Sequence, residues 1–117
     1  MRIEIENKLV QEFPKLFPGE PAIMIDDGWF DLVYQLCNFL QHSADQCGDP
    51  QIACFQIKEK FGGMRFDIDG ECNDYQAGAI QFAQLLSGVI CDKCGRPGTQ
   101  QGNSRGWCQT RCTDFAE

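Results

Sequence analysis

The residues best suited to chemistry crowd the end of the chain. Cys91-Asp92-Lys93-Cys94-Gly95 is a C-x2-C-G knuckle, and Cys108-Gln109-Thr110-Arg111-Cys112 supplies a C-x3-C pair after a short spacer. Zn²⁺ takes four soft ligands in a tetrahedron, and a two-residue gap lets both thiolates turn onto one ion. Between the pairs lie Gly95, Pro97, Gly98, Gly102 and Gly106, which is loop chemistry without a core. Metal binding is the expected source of folding energy for such a segment. The spacing therefore predicts a structural Zn²⁺ centre on Cys91, Cys94, Cys108 and Cys112. A helical turn would bring the last two together as neighbours four apart. Four thiolates leave no open coordination position, so the centre is expected to be structural rather than catalytic. Two disulfides are the competing reading of the same four residues.

The chain holds eight cysteines in 117 residues. Such a count also fits a secreted disulfide scaffold. Against that, Met1-Arg2 runs into Ile3-Glu4-Ile5-Glu6, where the apolar core of an export signal would lie, so a cytoplasmic setting is expected. The remaining cysteines, Cys37, Cys47, Cys54 and Cys72, are scattered and read as small core hydrophobes. A second metal site built from them with His42 would need irregular spacings.

Other candidates for chemistry have sufficient structural roles. His42 is the single histidine and falls near the predicted end of a helix, where the dipole favours a cation. Asp26 and Asp27 could pair as catalytic carboxylates, but either could equally cap the next helix. Phe61-Gly62-Gly63-Met64-Arg65-Phe66 lacks the phosphate-loop pattern and precedes a strand, so a turn is expected. Asp67, Asp69, Glu71 and Asp74 form an acidic group, and Lys60 and Arg65 flank the turn on its polar side. These six are the candidate partner-binding residues, although a charge run is more often a solvated face.

The elements that must position these residues follow from periodicity. Apolar residues at Ile5, Leu9, Val10, Phe13, Leu16 and Phe17 suit a helical face that Pro14 interrupts. Ala22-Ile23-Met24-Ile25 has strand length. Trp29 to His42 carries a wide apolar face and reads as the central helix. Residues 52–60 alternate with Ala53, Phe55, Ile57 and Phe61 on one side, and a second alternating run follows Gly62-Gly63, which predicts a hairpin over 52–69. A third helix from Asn73 or Asp74 to about Gly88 is expected to bury Ile80, Phe82, Ala83, Leu85, Leu86 and Val89. The predicted fold class is α+β, with three helices on one face of a small antiparallel sheet and a C-terminal zinc-ribbon or knuckle module. Residues 1–90 would form the body and residues 91–117 the metal module, packed on it as one unit.

Charge is unevenly shared. The chain carries seventeen acidic and ten basic side chains for a net −7, yet residues 1–90 hold fourteen acidic and six basic, and residues 91–117 are slightly basic. That balance argues against a broad nucleic-acid-binding surface, which needs clustered Lys and Arg. The basic residues of the metal module are expected to offset the excess negative charge of four thiolates on one divalent ion.

Several segments in order, Glu12-Phe13-Pro14-Lys15-Leu16-Phe17, Asp27-Gly28-Trp29-Phe30-Asp31-Leu32, Lys58-Glu59-Lys60-Phe61-Gly62-Gly63-Met64-Arg65-Phe66 and Cys91-x2-Cys94-Gly95 with Gly106-Trp107, resemble a family of small proteins encoded by bacteriophages and prophages. The resemblance implies phage origin and a host-cytoplasm setting without implying a reaction. Relatives end with a cysteine near position 112 and another Cys or His three residues on. Here Phe115 stands at that point, so either Cys108 substitutes or the site is three-coordinate, and substitution is the expectation. Together with the acidic body, the resemblance implies a non-enzymatic zinc protein that binds a host protein or ribonucleoprotein complex, such as one of CRISPR-type defence. A zinc-ribbon accessory using Arg96, Arg105 and Arg111 on nucleic acid is the first alternative, and a small hydrolase using Asp26, Asp27 or His42 the second.

Overall fold

A computed structural model describes residues 2–102 and 108–112 of the chain. Helix α1 (Arg2–Glu12) buries Ile5 and Leu9. It stops before the predicted Phe17 because Pro14 cannot donate to the helix and pushes Phe13 toward extended backbone. Residues 13–17 instead form turns that place Phe13, Leu16 and Phe17 in the core. Strand β1 (Ala22–Met24) and a 3₁₀ turn (Asp27–Trp29) lead into α2 (Phe30–Gln46), the longest helix. Neither Asp26 nor Trp29 caps through its side chain, so the expected capping by aspartate is not what starts this helix.

Strands β2 (Ala53–Lys60) and β3 (Gly63–Asp69) form the expected hairpin. Lys60 pairs with Gly63, so the turn residues are Phe61 and Gly62, at φ 54° and 85°, rather than the two glycines. Both central residues of such a two-residue turn need positive φ, which costs a phenylalanine about 1 kcal/mol. A bulge between Cys54 and Gln56 leaves Phe55 as the extra residue. It shifts the alternation so that Cys54 and Ile57 both turn inward while Phe55 is exposed, contrary to the unbroken pattern expected, and Phe61 is exposed because it sits in the turn.

The sheet order is β1-β2-β3, with β1 parallel to β2. The sheet is therefore mixed, not antiparallel throughout, because α2 supplies the crossover that a parallel pair requires. Ile23, Ile57 and Phe66 face the helices, and Ala22, Met24, Lys58 and Arg65 lie on the other face. The core joins Leu9, Leu16, Trp29, Val33, Leu40 and Ile57, all essentially inaccessible to solvent.

Helix α3 (Asp74–Ser87) starts at a capping box between Asn73 and Gln76. Its inward face is partly polar. Ser87 Oγ accepts from the Met64 amide at 2.8 Å, and Gln84 Oε1 accepts from the Phe66 amide at 2.9 Å, so helix side chains cover the open edge of β3. Gln76 is fully buried and donates to the Pro50 carbonyl at 2.6 Å. Ile80 and Ala83 are buried as expected, whereas Phe82, Leu85 and Val89 are exposed. Satisfying strand amides turned the glutamine and serine inward and left those apolar residues outside.

A second sheet pairs β4 (Thr99–Gly102) with β5 (Cys108–Arg111). Among the described residues, no helix is long and apolar enough to cross a membrane.

Candidate metal centre

The knuckle hangs from an isolated bridge between Ile90 and Pro97. Within it the Gly95 amide donates to Cys91 O at 3.0 Å, and the Cys91 amide to Arg96 O at 2.7 Å. The Asp92 amide donates to Thr110 O at 2.9 Å, which brings the chain after β5 back beside the knuckle. As a result the sulfurs of Cys91, Cys94 and Cys112 lie within 4.8 Å of one another, and Cys94 Sγ and Cys112 Sγ are 3.5 Å apart. Sulfurs sharing a tetrahedral Zn²⁺ sit about 3.8 Å apart, given Zn–S bonds of ~2.3 Å. The three thiols therefore have the spacing that one soft cation requires.

Electrostatics favour a thiolate at Cys91 and oppose a second at Cys94, where the Arg96 amide lowers the pKa but desolvation and the neighbouring sulfurs of Cys112 and Cys91 raise it overall. Burial works against ionisation of Cys91, but backbone amides of Cys112, Lys93 and Cys94 donate to its sulfur and bring its pKa down to about 7. Cys37 and Cys54 behave oppositely. Burial pushes both thiols up, Cys54 to about 12, so they stay neutral. They are core residues as expected, whereas Cys47 is exposed and Cys72 half-buried. Among the described residues, no second cluster of three metal-binding side chains forms around His42, Cys47, Cys54 and Cys72.

The fourth expected ligand fares differently. Residues 108–111 form strand β5, not the helical turn that was to bring Cys108 beside Cys112. Extended backbone at ~3.3 Å per residue carries the strand about 10 Å from Cys108 to Arg111, and Cys112 follows it. The Cys108 side chain lies outside the described residues, as do Arg105, Gly106, Trp107 and Phe115.

The knuckle rests on the Asp27–Trp29 turn. The Gly28 amide donates to Asp92 O at 2.9 Å, and the buried Trp29 indole Nε1 donates to Ile90 O at 2.9 Å. A Cβ on Gly28 would sit 2.1 Å from Cys91 O, so only glycine permits this backbone contact. Thr110 is wholly buried and its hydroxyl donates to Gly62 O, so the hairpin turn is also held by β5. Sequence reading assigned Gly28 and Thr110 no role, since neither residue type signals a close approach in tertiary structure.

Charged pairs frame the same junction. Lys93 Nζ meets Asp26 Oδ2 at 2.8 Å, and Arg111 Nε pairs with the buried Asp92 carboxylate. Burial raises the Asp92 pKa, and the Arg111 guanidinium opposes that rise. Arg111 is thus committed to Asp92, which weakens its candidacy as a nucleic-acid contact. Asp26, Asp92, Lys93, Arg111, Glu59 and Gln109 line a polar recess of about 290 Å³.

The candidate catalytic groups are not assembled. Asp26 faces Lys93, and Asp27 lines a separate groove with Glu4, Lys8 and Phe30. His42 is exposed on α2, about 18 Å along the helix from Phe30 at 1.5 Å per residue. The six partner-binding candidates split by charge. Lys60 and Arg65 share a groove with Phe61 and Leu85 near the end of α3, while Asp69, Glu71 and Asp74 gather at its start. Asp67 lies between them on β3.

The chain matches no family model, no curated protein and no solved structure.

Proposed function

We propose that this chain is a non-enzymatic, phage-encoded binding protein whose C-terminal knuckle is clamped by a structural Zn²⁺. Cys91, Cys94 and Cys112 supply three of its ligands. The observation that carries this reading is the convergence of three sulfurs on a loop whose backbone docks directly onto the Asp27–Trp29 turn. An ion there fixes the loop, and through Asp92 and Ile90 it fixes the start of the central helix. Its work is structural, holding a rigid acidic body for recognition.

That body, with fourteen acidic against six basic side chains in residues 1–90, steers toward a basic surface on a host macromolecular complex. A nucleic-acid-binding surface of a host defence complex is the kind of target its charge suits. The chemistry of a hydrolase finds less support, since Asp26, Asp27 and His42 face different parts of the surface.

The test joins metal analysis to affinity capture from host lysate. Elemental analysis should return one zinc per chain, and a Cys91→Ser/Cys94→Ser/Cys112→Ser variant should return none. Captured partners should elute as salt rises past physiological strength, where exposed charges are screened. Metal-free wild-type protein, or capture indifferent to salt, would refute the corresponding half of the reading.

A further inference from the structure

Residues 75–91 contain no charged side chain, although the chain as a whole is strongly acidic. On the outward side of α3, Tyr75, Gly78, Phe82 and Leu85 recur at intervals of three, four and three, the spacing of a helix–helix seam, and Val89 follows in the turn just after the helix. Tyr75, Phe82, Leu85 and Val89 are 55–75% exposed. Gly78 is exposed too, with no atom within 4 Å of where its Cβ would stand. Buried Gln76, Ile80, Ala83 and Ser87 form the opposite face, so the helix presents one seam to the core and a second to solvent.

We propose that this outer seam is a self-association surface, and that two copies of the chain pack their α3 helices antiparallel about a two-fold axis at Phe82. Three features on the helix select a second copy in that orientation. First, the pattern is self-complementary: antiparallel pairing sets Leu85 of one copy over the gap at Gly78 of the other, and Tyr75 against Val89. Secondly, two chains of net −7 repel, and a seam free of charge is where they can approach most closely. Thirdly, the ends differ in sign. Asp69, Glu71 and Asp74 lie at the start of α3, while Lys60 and Arg65 lie beside Leu85 near its end. Antiparallel packing brings the acidic end of each copy to the basic end of the other, whereas parallel packing sets like against like.

Size points to a reversible dimer. The four exposed side chains offer about 500 Å² per copy, or ~1,000 Å² for the pair, the lower limit for a specific interface. An interface at that limit belongs with the weak, reversible class.

Sedimentation velocity on the full zinc-loaded chain from about 1 to 200 µM tests this. A monomer–dimer equilibrium is expected. Leu85→Glu should leave a monomer throughout, with an unchanged circular dichroism spectrum and zinc content. Gly78→Leu should raise thermal stability, because leucine is the better helix former, yet weaken association at least tenfold by filling the gap. Lys60→Glu/Arg65→Glu and Glu71→Lys/Asp74→Lys should each lose the homodimer, and mixing the two should restore dimer as the heterodimer. A wild-type monomer at every concentration would overturn the proposal. So would a dimer that survives Leu85→Glu, or charge-reversed variants that fail to pair when mixed. None of these outcomes depends on the host partner, so failure here leaves the proposed function standing.

Discussion

Replacing Gly28 by alanine should uncouple the metal loop from the body. The new Cβ would lie 2.1 Å from Cys91 O, 2.5 Å from Asp92 C and 2.7 Å from Asp92 O, all backbone atoms with no flexible side chain to yield. Restoring ordinary contact moves the loop by more than about 1 Å, since van der Waals separations start near ~3.4 Å. Such a shift breaks the Gly28–Asp92 hydrogen bond and pulls Ile90 O from the buried Trp29 indole. Each buried partner left unsatisfied costs about 1–3 kcal/mol, and the two together about 3–5 kcal/mol. For a domain of this size that lowers Tm by about 12–20 °C. The assay is thermal unfolding of wild type and Gly28→Ala, each with and without chelator. If the turn acts through the metal loop, chelation should destabilise the variant much less than the wild type, because the coupling is already lost. A Tm loss under about 3 °C, or strictly additive effects of mutation and chelation, would refute the reasoning.

Cys112→Ser should abolish zinc retention while Cys108→Ser preserves it, because extended backbone separates the two residues; elemental analysis of both variants decides. Gln76→Ala should cost about 2–4 kcal/mol in urea unfolding, since it removes the capping box, strips the Pro50 carbonyl of its donor and opens a cavity. Stability should fall as pH rises above about 9, because burial raises the Cys37 and Cys54 thiols in the folded state, so the unfolded chain loses those protons first. The slope is about 1.4 kcal/mol per pH unit for each thiol, and a Cys37→Ala/Cys54→Ala variant should lose that slope in a pH series of denaturant unfolding.

The parts of the fold carried by local rules were legible. Asn73 with Gln76 three residues later announces a helix start, Pro14 announces a stop, and Phe61-Gly62-Gly63 between alternating runs announces a hairpin. Cys91 and Cys94 were legible because a knuckle is a local motif. What escaped depends on contacts between distant segments. The Phe55 bulge leaves the alternation intact on paper and reverses it in space. The sequence marks no partner for β1, so its parallel pairing beside β2 through α2 could not be read. Gln84 and Ser87 look like solvent-facing residues until the amides of β3 are placed beside them. Phe82, Leu85 and Val89 then look like core until those polar residues claim the inner face. The C-x3-C spacing brings Cys108 beside Cys112 only if the segment coils, and spacing carries no information about whether a segment coils or extends.

The side-chain cover over β3 also bears on how the protein avoids aggregating. The Met64 and Phe66 amides point away from β2, and in a bare hairpin they would form an adhesive edge able to recruit a strand from another molecule. Here that edge is closed by one glutamine and one serine on a helix, so the protection is only as durable as the docking of α3. Local undocking of this helix would expose the adhesive edge and the buried face of α3 at once, without global unfolding. Exchange of those two amides with deuterium would time that opening, and any condition that speeds it should also speed precipitation.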